Sequence, residues 1–162
     1  MRRELIHGLA AGVAGTTALN AVTFLDMVLR ARPASTTPEA SVRKAEDVAN
    51  VPLSAEGSDS DAASNRRSGL GSILGITTGL GMGALYGVVR PRLARDVPMG
   101  VLAVVAGLGA TAGSMAPMTL LGVTDPREWS ASSWLSDLVP HLAYGAVTAA
   151  VFEALEPRSP LR

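Results

Sequence analysis

Gly69-Leu70-Gly71-Ser72-Ile73-Leu74-Gly75-Ile76-Thr77-Thr78-Gly79-Leu80-Gly81-Met82-Gly83-Ala84-Leu85-Tyr86-Gly87-Val88-Val89 is an uncharged stretch bounded by Ser68 and Arg90. Within it Gly71, Gly75, Gly79, Gly83 and Gly87 recur at every fourth residue. Residues four apart lie on nearly the same face of a helix, so the row forms a groove without side chains. In water each interior glycine costs about 0.8–1 kcal/mol against alanine. In a bilayer the backbone must stay hydrogen-bonded whatever its propensity, and small residues let helices approach closely. The row therefore predicts a transmembrane helix built for packing.

Outward from this stretch, three more segments have the length and apolarity of spans. They run over 5–29, 98–123 and 134–155, against 69–89 for the glycine segment. At 1.5 Å per residue each crosses about 30 Å of hydrocarbon. The first follows Arg2 and Arg3, as a signal peptide would. Its length, its Asn20 and Asp26, and the lack of a small-x-small cleavage site favour an uncleaved span. Gly8 with Gly12, Ala11 with Gly15, Ala103 with Gly107 and Thr111, and Gly109 with Gly113 repeat the small-residue spacing. Pro98 falls at the start of the third span, and Pro117 kinks or ends it. The predicted fold is all-α: one domain over 1–162, a four-helix transmembrane bundle with glycine-rich packing.

Residues 31–68 form the polar connection. Thr36-Thr37-Pro38-Glu39 reads as a helix start, leading to a short amphipathic helix ending near Asn50, on the membrane or solvated. Ser54 to Ser68, rich in Ser and Asp, reads as a flexible linker. Glu56, Asp59 and Asp61 lack the glycine turn and terminal acid of a calcium loop. Near the fourth span, Trp129 and Trp134 mark a water–lipid boundary.

Of 162 residues 48% are hydrophobic and 17% charged, and net charge is zero. Nucleic acid is not an expected partner. The expected ones are the bilayer and a second copy or another membrane protein. Lys44 is the single lysine among fourteen basic residues, a bias typical of GC-rich bacterial genomes. Four spans put both termini on one side. The basic residues divide seven and seven between the two sides, and the short Arg90–Arg95 connection tips the expectation toward cytoplasmic termini in the inner membrane.

The candidate chemistry lies in the fourth span. Asp137, His141, Tyr144 and Thr148 form one helical stripe, in which Asp137 can accept a hydrogen bond from His141. Intramembrane ionisable groups often mark proton or ion paths. The structural alternative has Asp137 at the positive helix start and His141 as interhelical glue. With two histidines near opposite faces and no cysteine, no metal or cofactor is expected. Asn20 is expected as interhelical glue, Asp26 as a partner of Arg30, and Glu153 as a snorkelling end residue. Gly79-Leu80-Gly81-Met82-Gly83 lacks the strand, lysine and ribose acid of a nucleotide loop. No nucleophile, base and oxyanion site can be assembled, so no enzyme is expected.

Leu121-Gly122-Val123-Thr124-Asp125-Pro126, then Trp134, then Ser136-Asp137-Leu138-Val139-Pro140-His141-Leu142-Ala143-Tyr144, resembles the C-terminal part of the YagU-like inner-membrane proteins. That family, of unknown biochemical function, carries a Leu-Gly-Leu-Thr-type turn. An acid then stands four residues before a histidine, with an aromatic three after it. Here those are Asp137, His141 and Tyr144, with Pro140 in place of a small residue. The likeness covers about a fifth of the chain. It implies an inner-membrane protein linked to acid stress and assigns no catalytic residue.

Overall fold

The computed structural model describes residues 2–55, 57 and 60–156. Among them every regular element is helical: α1 (Arg2–Arg30), α2 (Thr37–Ala49), α3 (Asp61–Val89), α4 (Met99–Leu120) and α5 (Ala131–Leu155). Short 3-10 turns follow α3 at Arg90–Arg92 and precede α5 at Pro126–Glu128. Four helices, all but α2, are long and apolar enough to cross a membrane.

The helix ends depart from the sequence expectation in an informative way. α3 starts at Asp61, eight residues before the apolar stretch, because Ser60 caps it: its hydroxyl oxygen accepts from the Ala63 N–H at 3.2 Å. The segment 61–68, expected as linker, is thus two turns of helix. Glu56 and Asp59, part of the rejected calcium reading, lie outside the described residues. Ser130 caps α5 in the same way, accepting from Ser133 N at 3.1 Å. Pro98 stands just before α4 rather than inside it. Pro117 ends that helix within a turn, its carbonyl accepting from Leu121 N. α2 is entered through Ser35, whose Oγ accepts from Thr37 N, and is stopped by Asn50 in the left-handed region, which asparagine tolerates.

α1 is the hub, packing on α3 along one face and on α5 along another. α4 packs on α5, and Met82 of α3 lies over Gly109 and Gly113 of α4. Neighbouring helices run antiparallel, as the pairing of Gly8 with Gly87 and of Gly12 with Gly83 requires. The core is made of small or polar residues such as Ala11, Ala110, Ala149 and Thr148, with Leu102, Tyr144 and Phe152 as its bulk. Large aliphatic residues point outward instead: Val28 is 78% exposed and Leu120 88%. This inside-out distribution suits a lipid surroundings, since a water-soluble bundle would bury its leucines.

Charges clamp both ends of the bundle. At one end Asp26 pairs with Arg30 at 3.4 Å and with Arg32, and Arg30 donates to Ser132 and Ser136 of α5. The expected Asp26–Arg30 pair is therefore present within a larger network. At the other end His7 Nδ1 lies 2.9 Å from Glu156. Glu153, expected to snorkel, holds buried Arg90 at 2.6 Å. Asn20 is exposed and makes no hydrogen bond among the described residues, so the interhelical role expected of it is not used within this chain.

Candidate functional site

The glycine row does three different things along its length. At Gly83 a Cβ would lie 2.6 Å from the Gly8 carbonyl oxygen and closer still to Gly12 Cα. At Gly87 it would meet the Glu4 carbonyl and, at 2.8 Å, Gly8 Cα. These are backbone-to-backbone contacts that only glycine permits. Gly79 faces the Thr16 side chain, and Gly71 faces Pro38 of α2, with its carbonyl carbon at 3.0 Å. Gly75, between them, has nothing within 4 Å. α1 and α3 thus diverge beyond Gly79, and α2 fills the space only from Gly71 onward. A second crossing is as close: a Cβ on Gly145 of α5 would press on Ala103 O and on Gly107 of α4.

The polar stripe of α5 also divides. Tyr144 is 2% exposed, and its hydroxyl donates to Gly79 O at 2.7 Å. Thr148 is fully buried, its Oγ1 directed at Ala11 O at 3.5 Å. Gly15 of α1 is the cradle for both, since a Cβ there would collide with the Thr148 hydroxyl and the Tyr144 ring. These two residues tie α5 to the backbones of α3 and α1, and their hydroxyl protons are committed. We expect Tyr144→Phe to cost about 0.6 kcal/mol and at most about 1.7, the range of interhelical bonds in membranes. Thr148→Val should cost less, because its bond is at the limit of length. Unfolding by SDS titration from mixed micelles measures both.

Asp137 and His141 are one or more turns away, in the half of the bundle toward Ala131. His141 Nδ1 lies 2.8 Å from the Asp137 carbonyl oxygen and 3.5 Å from its Oδ2, which has no hydrogen-bond partner. Nε2 lies 3.3 Å from Ser114 Oγ of α4, and that hydroxyl donates to Thr111 O at 3.0 Å. A serine has one proton to give. Nδ1, facing a carbonyl, donates. The ring thus bridges the Asp137 backbone of its own helix and the Ser114 hydroxyl of α4. Pro140, buried, precedes the histidine and leaves the carbonyl one turn back without its usual amide.

Ser114 bonds back to its own helix at Thr111, and its reach to His141 depends on the α4–α5 approach at Gly107 and Gly145. The buried pair of Glu46 with Arg67 was not anticipated. Glu46 Oε2 sits 2.7 Å from the Arg67 guanidinium, and the two side chains are 6% and 8% exposed. Its signal was present as two opposite charges, one in the segment read as a short helix and one in the segment read as linker. Among the described residues no three His, Asp or Glu side chains gather as a metal centre would need. His7 meets Glu156, fifteen residues along α5 from His141, roughly 22 Å away.

No family model, curated protein or solved structure matches this chain, and nothing in those comparisons bears on the YagU-like resemblance.

Proposed function

We propose that the chain is a non-enzymatic scaffold of the bacterial inner membrane, with both termini cytoplasmic, offering its outer face to lipid and to a second copy or another membrane protein. The observation that carries this reading is the commitment of Tyr144 and Thr148 to the backbones of neighbouring spans. The buried hydroxyls that α5 brings to α1 and α3 are thereby spent on holding helices together. The outward leucines and valines form the surface such a scaffold would use.

A second reading, a small proton-conducting protein, is favoured by one observation: the Asp137–His141–Ser114 chain joins two helices and includes a carboxylate oxygen without a hydrogen-bond donor. One experiment separates the two. Purified protein in liposomes carrying an imposed pH gradient should dissipate it no faster than protein-free vesicles. A faster loss with the parent, abolished in His141→Ala, would replace the scaffold by the conductor.

A further inference from the structure

α2 has two working sides. Pro38 and Glu46 turn toward α3, against Gly71 and Arg67. On the opposite side Ala40, Arg43, Lys44 and Asp47, spaced as one helical stripe, face Gly122 and Val123 across a cleft of about 240 Å³. The far wall is the turn that follows α4. Gly122 has φ +69° and open space where a side chain would stand, so the wall is low and smooth there. Its amides are already used: Gly122 N donates to Thr119 O and Val123 N to Met118 O. The charge of the cleft therefore comes from α2.

The cleft lies at headgroup depth. Val123 is three residues beyond the end of α4, and Pro38 sits against Gly71, near the end of the apolar part of α3. Beside this turn the rings of Trp129 and Trp134 lie 5.1 Å apart in a tilted pair, and Trp129 Nε1 donates to Thr124 Oγ1 at 2.7 Å. Paired tryptophans of this kind mark the boundary between acyl chains and water. A lysine at this depth is attracted to lipid phosphates. Lys44 is exposed and makes no hydrogen bond or ion pair among the described residues. Asp47, however, stands one turn along the same stripe, about 5–6 Å away at the Cβ level. A headgroup carrying only negative charge would leave Asp47 beside a like charge. One carrying a phosphate and an ammonium matches both ends.

We propose that the cleft between α2 and the α4–α5 turn is a headgroup site for an aminophospholipid, with Lys44 on the phosphate and Asp47 on the ammonium. The site is independent of whether the bundle conducts protons. Native mass spectrometry of the full-length protein in detergent tests it, with phosphatidylethanolamine, phosphatidylglycerol and inorganic phosphate as separate additions. The parent should retain phosphatidylethanolamine in preference to phosphatidylglycerol. Lys44→Gln should weaken that retention about fivefold, the effect of one surface lysine on a lipid phosphate. Asp47→Asn should reverse the preference toward phosphatidylglycerol. Arg127→Gln, a neighbouring cation outside the cleft with its side chain 89% exposed, should leave retention unchanged. Circular dichroism should be the same in all variants, since these side chains point away from α3. Equal retention by parent and Lys44→Gln, or an equal loss in Arg127→Gln, would overturn the site. Inorganic phosphate binding as tightly as the lipid would overturn its assignment to a headgroup.

Discussion

Gly83→Leu should fail to assemble the bundle, while Gly75→Leu, two turns earlier in the same row, should behave like the parent. At Gly83 the first added carbon already lies 2.6 Å from the Gly8 carbonyl and presses on Gly12 Cα. Both obstacles are backbone of a helix that also packs on α5, so no side chain can move aside. Overpacking a core ordinarily costs about 1–3 kcal/mol through shifts of flexible groups, and here the helices themselves must part. We expect a loss above about 3 kcal/mol, seen as aggregation or a broadened profile in detergent size analysis. At Gly75 nothing lies within 4 Å, and leucine is the better helix former by about 0.8 kcal/mol. Identical elution and thermal unfolding of the two variants would sink the interhelical account of the row.

That contrast also marks the boundary of what residue spacing can reveal. The four-residue period fixes the phase of the face, and the segments long enough to span were readable from apolarity alone. Which glycines touch depends on where two helices cross and where they diverge, and inclined helices meet over only a few turns. Gly79, Gly83 and Gly87 lie inside the α1 crossing; Gly75 lies beyond it; Gly71 serves α2. The stripe of α5 divides for the same reason. Asp137, His141, Tyr144 and Thr148 share a phase, but Tyr144 and Thr148 reach the α1–α3 contact while His141 reaches α4. The acid–histidine–aromatic pattern of α5 thus falls on residues with two separate sets of partners. The connection was least legible. The Thr36-Thr37-Pro38-Glu39 start correctly announced α2, but 54–68 resembles a linker by composition, and the docking of α2 comes from a pairing between helices that no local pattern encodes.

Glu46→Ala should release α2 from the bundle while leaving the four long helices in place. Glu46 is the joint of the connection: Oε1 accepts from Leu53 N at 2.8 Å, Oε2 takes the Arg67 guanidinium, and Arg66 adds a bond to the Leu53 carbonyl. Removing the carboxylate takes the Glu46 charge away from a guanidinium that is 8% exposed, and a buried charge weakened in this way is drawn toward water. The easiest way to hydrate it is to lift α2. Cleavage between α1 and α3 by an added protease should rise on the order of tenfold or more, since cleavage follows the population of the open form. Glu46→Gln, which keeps an acceptor for Leu53 N, should fall between. The Leu53 amide, and after it Arg67, hold the Glu46 carboxyl below its ordinary value. A lowered carboxyl contributes its stabilisation in full above the ordinary glutamate range and loses it as pH falls through the folded value. Docking of α2 should therefore persist into the acid range where exposed glutamates are already protonated, and give way only below it. A protease pattern in Glu46→Ala matching the parent at neutral pH would show that α2 is held by its contact at Gly71 alone.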